Sequence, residues 1–220
     1  MNTIQQNVGQ ILSEIPANVK VVAAAKSRTS AEVREVIEAG ITIIGENYLQ
    51  ESQKIITEIG TKANWHFIGH IQKNKVKYIV PLFDMVETVD TIELAAIIDK
   101  ISVRHNKTMN VLIEINSARE SQKYGVMPEN AKLLIEKICT LENIKIQGLM
   151  TMGPFLDDPE GLRIYFRQTK ALFEEFKNLK LPNVEMRYLS MGMSDSYLIA
   201  IEEGANMVRI GTKIFGPRSY

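Results

Sequence analysis

Cysteine is nearly missing: Cys139 stands alone among 220 residues. That excludes an intrachain disulfide and any cysteine-based metal cluster, and it suits a reducing compartment. Neither sign of charge is in excess, because 26 Lys and Arg balance 26 Asp and Glu. A dedicated nucleic-acid binder normally carries a basic surplus, so that class is set aside. Long apolar runs are missing too. None approaches the ~20 residues needed to cross a bilayer. The opening MNTIQQNVGQIL lacks the basic flank and apolar stretch of a signal peptide. A cytoplasmic protein that engages neither nucleic acid nor membrane is the expectation. Low-complexity and linker-like segments are also absent, so one domain over residues 1–220 is expected.

What is present is a core-forming alternation. Hydrophobic residues make up 45% of the chain, enough for a sizeable core. Eight apolar runs of strand length recur: Val21 to Ala25, Ile41 to Gly45, Trp65 to Gly69, Met85 to Val89, Val111 to Ile115, Ile144 to Met150, Met186 to Met191 and Met207 to Gly211. Most are nearly continuous in apolar residues, as parallel strands covered on both faces should be. Between them lie helical stripes, clearest over Leu162, Tyr165, Phe166, Thr169, Leu172, Phe173, Phe176 and Leu179. Shorter stripes run through Val33, Val36 and Ile37, through Leu94, Ile97, Ile98 and Ile101, and through Leu134, Ile138 and Leu141. Pro128 and Pro159 fall where a first helical turn should begin. Asp195 is placed to cap a stretch that Gly204 ends. Eight strands alternating with helices predict an α/β fold, a single (β/α)8 TIM barrel. The doubly wound open sheet is the rival, but no glycine-rich dinucleotide turn follows the first run.

Barrel sites lie at the C-terminal strand ends, and polar residues collect there: Lys26, Glu46, Asn47, Asn116, Thr151, Ser190 and Arg209, with Gly211 and Thr212. Lys26 follows three alanines, whose small side chains leave it a partly apolar space. Desolvation there frees an amine as a nucleophile, as Schiff-base lysines require. A surface lysine opening a loop fits the same spacing. SMGMS at Ser190 to Ser194 and Gly211–Thr212 occupy the loops after strands seven and eight, where this fold commonly binds phosphate. Helix capping by Ser194 and Asp195 is the alternative. Arg209 lies within an apolar strand and needs a partner there, either a buried carboxylate such as Glu114 or a ligand ring nitrogen. His66, His70 and His105 lack metal-ligand spacing, so no metal site is expected, and His66 reads as a packed barrel residue.

The segments AAAKSRT around Lys26, GENYLQE at Gly45 to Glu51, WHFIGHIQKNK at Trp65 to Lys75, SMGMSD at Ser190 to Asp195 and MVRIGTKIFGPR at Met207 to Arg218 resemble the pyridoxal phosphate homeostasis proteins. The motifs keep the family's order over nearly the whole chain. The resemblance implies a barrel like the N-terminal domain of alanine racemase, with pyridoxal 5'-phosphate (PLP) held as a Schiff base on Lys26. It implies phosphate binding by Ser190, Ser194, Gly211 and Thr212, Asn47 near the cofactor, and Arg209 at the pyridine nitrogen. An arginine there makes the ring a weaker electron sink than an aspartate would. Lys123 matches a lysine linked to cofactor handling, while Arg28 replaces a common second lysine.

The implied function is PLP homeostasis, by buffering the cofactor or delivering it to PLP-dependent apoenzymes. A monomer with no catalytic residues and no established turnover is expected. The rival is a PLP enzyme such as an amino-acid racemase. Racemisation needs acid–base groups on both substrate faces, and a barrel that uses all 220 residues leaves no second domain to supply one. A Schiff-base aldolase without PLP is a weaker rival, opposed by Arg209 and the motifs.

Overall fold

A computed structural model describes residues 3–217. Arg218, the last residue of the strand-eight motif, lies outside the described residues. The chain opens with α1 (Ile4–Glu14) and then alternates β1 (Lys20–Ala24), α2 (Ser30–Glu38), β2 (Ile43–Glu46), α3 (Leu49–Ile59), β3 (Asn64–Phe67), α4 (Val76–Ile79), β4 (Met85–Val89) and α5 (Ile92–Arg104). The second half continues with β5 (Met109–Glu114), α6 (Ala131–Ile138), β6 (Ile144–Met150), α7 (Arg163–Lys177), β7 (Val184–Ser190), α8 (Tyr197–Glu202), β8 (Met207–Ile210) and α9 (Thr212–Phe215). The eight strands pair in parallel, in sequence order, and close into a barrel through β1 and β8. Each expected run therefore overlaps a strand.

Two hydrophobic layers follow from strand alternation. The larger joins outward-facing residues such as Ile44, Trp65, Phe67 and Val111 to helix faces that include Val33, Ile98, Ile138, Phe166 and Phe176. The smaller fills the barrel with Val22, Ile68, Met85, Leu112, Met150 and Met207. Side chains in phase with this inner set and nearer the C-terminal strand ends point into the barrel mouth. Among them are Glu114, two residues after Leu112, and Arg209, two residues after Met207.

Helix ends follow local chemistry. Thr29 and Glu32 form a reciprocal capping box that starts α2. Thr3 and Gln6 do the same for α1, a helix that the apolar stripes did not reveal because it buries only Val8 and Ile11. Pro128 and Pro159 each open a short 3-10 turn that leads into α6 and α7. Asp195, by contrast, does not cap α8. The N-cap is Ser196, without a side-chain cap. The Met193 carbonyl takes the N–H groups of both Ser196 and Tyr197, at 2.9 and 2.8 Å, so the turn satisfies donors that Asp195 would otherwise serve. Gly204 does end that helix, at φ +94°.

Candidate functional site

Arg209 is the buried centre of the barrel. It is 6% exposed and is held by hydrogen bonds rather than by the Glu114 carboxylate considered from sequence. One guanidinium N–H donates to Ser190 Oγ at 2.6 Å and another to the Thr151 carbonyl at 2.9 Å. Ser190 Oγ in turn donates to Glu87 Oε2 at 2.7 Å, and His66 Nδ1 lies 2.7 Å from Glu87 Oε1. Burial opposes the Glu87 charge, yet His66, Arg209 and Ser190 together hold it below the usual carboxylate range. Burial likewise lowers Arg209, against the pull of Glu87 and then Glu114. Its planar group is thus fixed in direction. Sequence reasoning did not single out Glu87, because MVETV reads as an apolar strand with one polar interruption. The available signal was its position two residues after Met85, in phase with the barrel interior.

Lys26 follows β1, and β1 pairs with β8 so that Val22 faces Arg209. Lys26 is half-buried, with Nζ 4.7 Å from the centroid of the Tyr48 ring. The turn that carries it is anchored twice. The Ser27 N–H donates to Glu51 Oε2 at 3.0 Å, and Arg28 donates to Glu32 at 3.2 Å and to the Gly216 carbonyl at 2.6 Å. Arg28 therefore ties the lysine turn to α2 and to the end of α9. Asn47 continues β2 beside this turn and is half-buried. Glu46, just before it, is fully buried with both carboxyl oxygens unpartnered among the described residues. Burial, reinforced by Glu51, pushes it up to about 8.

The loops after β7 and β8 meet at Ser194. Its Oγ accepts from the Gly211 N–H at 3.2 Å and the Lys213 N–H at 3.3 Å. Gly192 makes the first loop possible: at φ +92°, a Cβ there would stand 2.6 Å from Ala200 Cβ. Gly211 lets the second loop approach β1, since its Cβ would meet the Ala24 carbonyl at 3.3 Å. Thr212 is exposed at the start of α9. Backbone donors and a hydroxyl thus converge beside the lysine turn, which is the chemistry a phosphate group needs. Ser190 does not join them. Its hydroxyl is buried between Glu87 and Arg209, so it orients the arginine.

The remaining strand-end residues serve the walls. Asn116 Nδ2 donates to the carbonyls of Glu120 and Lys123, shaping the loop after β5. Thr151 Oγ1 donates to the Ile115 carbonyl at 2.9 Å. Lys123 is paired with Glu120 at 2.7 Å, across the mouth from Lys26. His70 stacks on Tyr124 with ring centroids 3.4 Å apart, joining the loops after β3 and β5.

The family model described as alanine racemase, N-terminal domain, matches residues 1–219. The pyridoxal phosphate homeostasis protein of Aquifex aeolicus is 42% identical over 202 residues, covering 91% of this chain and 88% of that protein. The chain belongs to the pyridoxal phosphate homeostasis protein family. The family member from Pasteurella multocida is 36% identical over 231 residues and covers 99% of both chains. Among solved structures, PipY of Synechococcus elongatus with PLP bound superposes at a TM-score of 0.89 and 27% identity, covering 97% of this chain and 100% of PipY. An alanine racemase of Clostridium difficile shares the fold at a TM-score of 0.82 and 15% identity, covering 99% of this chain and 60% of its own.

Proposed function

We propose that this chain binds pyridoxal 5'-phosphate and serves its homeostasis, as a cytoplasmic monomer that buffers the cofactor or hands it to PLP-dependent apoenzymes. The observation that carries the reading is the convergence of Lys26, Arg209 and the Ser194–Gly211–Lys213 donor cluster on adjoining strands β7, β8 and β1. Bound PLP would supply a reactive aldehyde and an electron-accepting ring. Lys26 would hold the aldehyde carbon as a Schiff base. Ser194, Gly211 and Thr212 would hold the phosphate, and Asn47 would border the ring. Arg209 would sit at the ring nitrogen, where a guanidinium fixed by Ser190 and Thr151 donates a hydrogen bond and keeps a proton away. In this reading Ser190 acts through Arg209 rather than on the phosphate.

By keeping the ring nitrogen unprotonated, Arg209 would leave bound PLP a weaker electron sink, so the residues favour storage of the aldehyde over turnover. Typical enzymes turn over at roughly 1–1,000 per second. Incubating PLP-loaded protein with single-enantiomer amino acids, and separately with a PLP-dependent apoenzyme, tests the reading. Activation of the apoenzyme without loss of optical purity supports a carrier. Turnover in the enzyme range, abolished by Lys26→Ala, rejects it in favour of a racemase.

A further inference from the structure

The β5 to β7 side of the mouth encloses a cavity of about 500 Å³ that the cofactor reading leaves unused. Its walls are apolar, from Tyr124, Met152, Leu156 and Met193, with Phe155 at the rim 91% exposed. An exposed apolar rim of this kind marks a binding surface more often than an ordinary one. Most of its polar lining is engaged elsewhere. Asn116 holds loop carbonyls, Ser117 meets Thr151 at 2.8 Å, and Lys123 meets Glu120 and the Gly153 carbonyl.

Glu114 and Asp195 are exceptions, and of the two Glu114 is the buried one. It lines the cavity yet is only 7% exposed, and no group among the described residues donates a hydrogen bond to its carboxyl. Its oxygens are not sealed off from solvent as those of Glu46 are, so the carboxyl stays open to a donor that enters the cavity. Burial pushes Glu114 up to about 7, with Asp90 acting in the same direction and Arg209 against it. The charged groups around it are thus Asp90 beyond β4, Arg209 on β8, and Lys123 and Asp195 on the cavity wall. Lys123 is already neutralised by Glu120, and Asp195 adds a second acid. The cavity therefore offers an acceptor for a cation and apolar walls, with no free cation among its described residues to receive a carboxylate.

We propose that this cavity binds a small apolar primary amine, its ammonium group held by the Glu114 carboxylate and its hydrocarbon body packed against Met152, Leu156 and Met193. Glu114 lies on β5, four strands around the barrel from β1 and Lys26, and the proposal does not rest on cofactor binding, although Met193 and Asp195 of its wall flank Ser194 of the phosphate loop. An amino acid suits it less well than the corresponding amine, because Glu114 and Asp195 repel the added carboxylate.

Calorimetric titration of the cofactor-free protein with hexylamine, hexanol and aminohexanoate tests this. At about pH 8.5, with Glu114 ionised, hexylamine is expected to bind about tenfold more tightly than either of the others, the worth of one charge-assisted hydrogen bond. Glu114→Gln should erase the preference, and in the unaltered protein it should shrink at about pH 5.5 as the carboxyl takes up its proton. Lys26→Ala should leave it intact, so a chain that fails to bind PLP can still pass. Equal binding of amine and alcohol, a preference that persists at low pH, or no binding of hexylamine overturns the proposal. The pH comparison decides the matter even if Glu114→Gln does not fold.

Discussion

Glu87 and Glu114 lie on neighbouring strands, both buried and both in the barrel interior. Glu87 titrates below the usual carboxylate range, whereas Glu114 is raised to about 7. Depth does not separate them, since Glu87 is the deeper of the two. Partners do. Glu87 has His66, Ser190 and, through Ser190, Arg209, while the Glu114 carboxyl has no hydrogen-bond partner among the described residues and feels Asp90 and Arg209 through charge alone. Glu46, with no hydrogen-bond partner among the described residues, is raised further, to about 8. The barrel interior thus has a satisfied polar network that fixes Arg209, and nearer the mouth one carboxyl, Glu114, without a donor among the described residues. A saturated network positions a group, whereas an unsaturated one is available to a ligand.

The contrast breaks most severely at Arg209. Arg209→Met strips the cation from Glu87 and leaves a buried charge underpaired, which should cost about 3–5 kcal/mol in urea denaturation. A loss below about 1 kcal/mol would mean that His66 and Ser190 satisfy Glu87 unaided.

Glu46→Gln sharpens the other pole. In the folded chain Glu46 keeps its proton up to about 8, whereas the unfolded chain releases it near 4.5. Its contribution is therefore fully present below 4.5 and is lost as pH rises toward 8. Glutamine cannot ionise, so the variant should gain on the unaltered protein across that window, by on the order of 4 kcal/mol at about pH 8.5. Thermal or urea denaturation at several pH values reads this directly. A difference that does not change with pH would show that Glu46 finds a donor.

Smaller effects are expected at the phosphate loops. Ser194→Ala should weaken PLP binding by about 1.5–3 kcal/mol, the worth of a hydrogen bond to a charged group. Thr212→Val should lie at the low end of that range, because Thr212 is exposed. Pyridoxal without phosphate should be nearly indifferent to both. Equal losses with both ligands would mean that these loops hold something other than phosphate.

The eight strands were legible because buried parallel strands leave nearly unbroken apolar runs, and each run overlaps a strand whose ends lie within two residues of its expected bounds. Lys26 and Arg209 were legible because each is a cation set beside or within such a run. Glu114 was legible only as a possible buried partner of Arg209, and Glu87 not at all, since a lone glutamate in MVETV faces inward or outward according to a register that one strand does not reveal. The role of Ser190 was hidden for the same reason: it adjoins the phosphate loop in sequence but points to Glu87 in space. α3 escaped notice because its buried face includes a serine, Ser52, beside Ile55 and Ile59.

The central claim is that the amine of Lys26 is the covalent anchor for PLP. Borohydride reduction of the PLP-loaded protein, followed by peptide mapping, tests it most directly. The pyridoxyl group should appear on Lys26, and Lys26→Ala should be colourless. A label on Lys123, or a Lys26→Ala protein that remains yellow, would contradict the account.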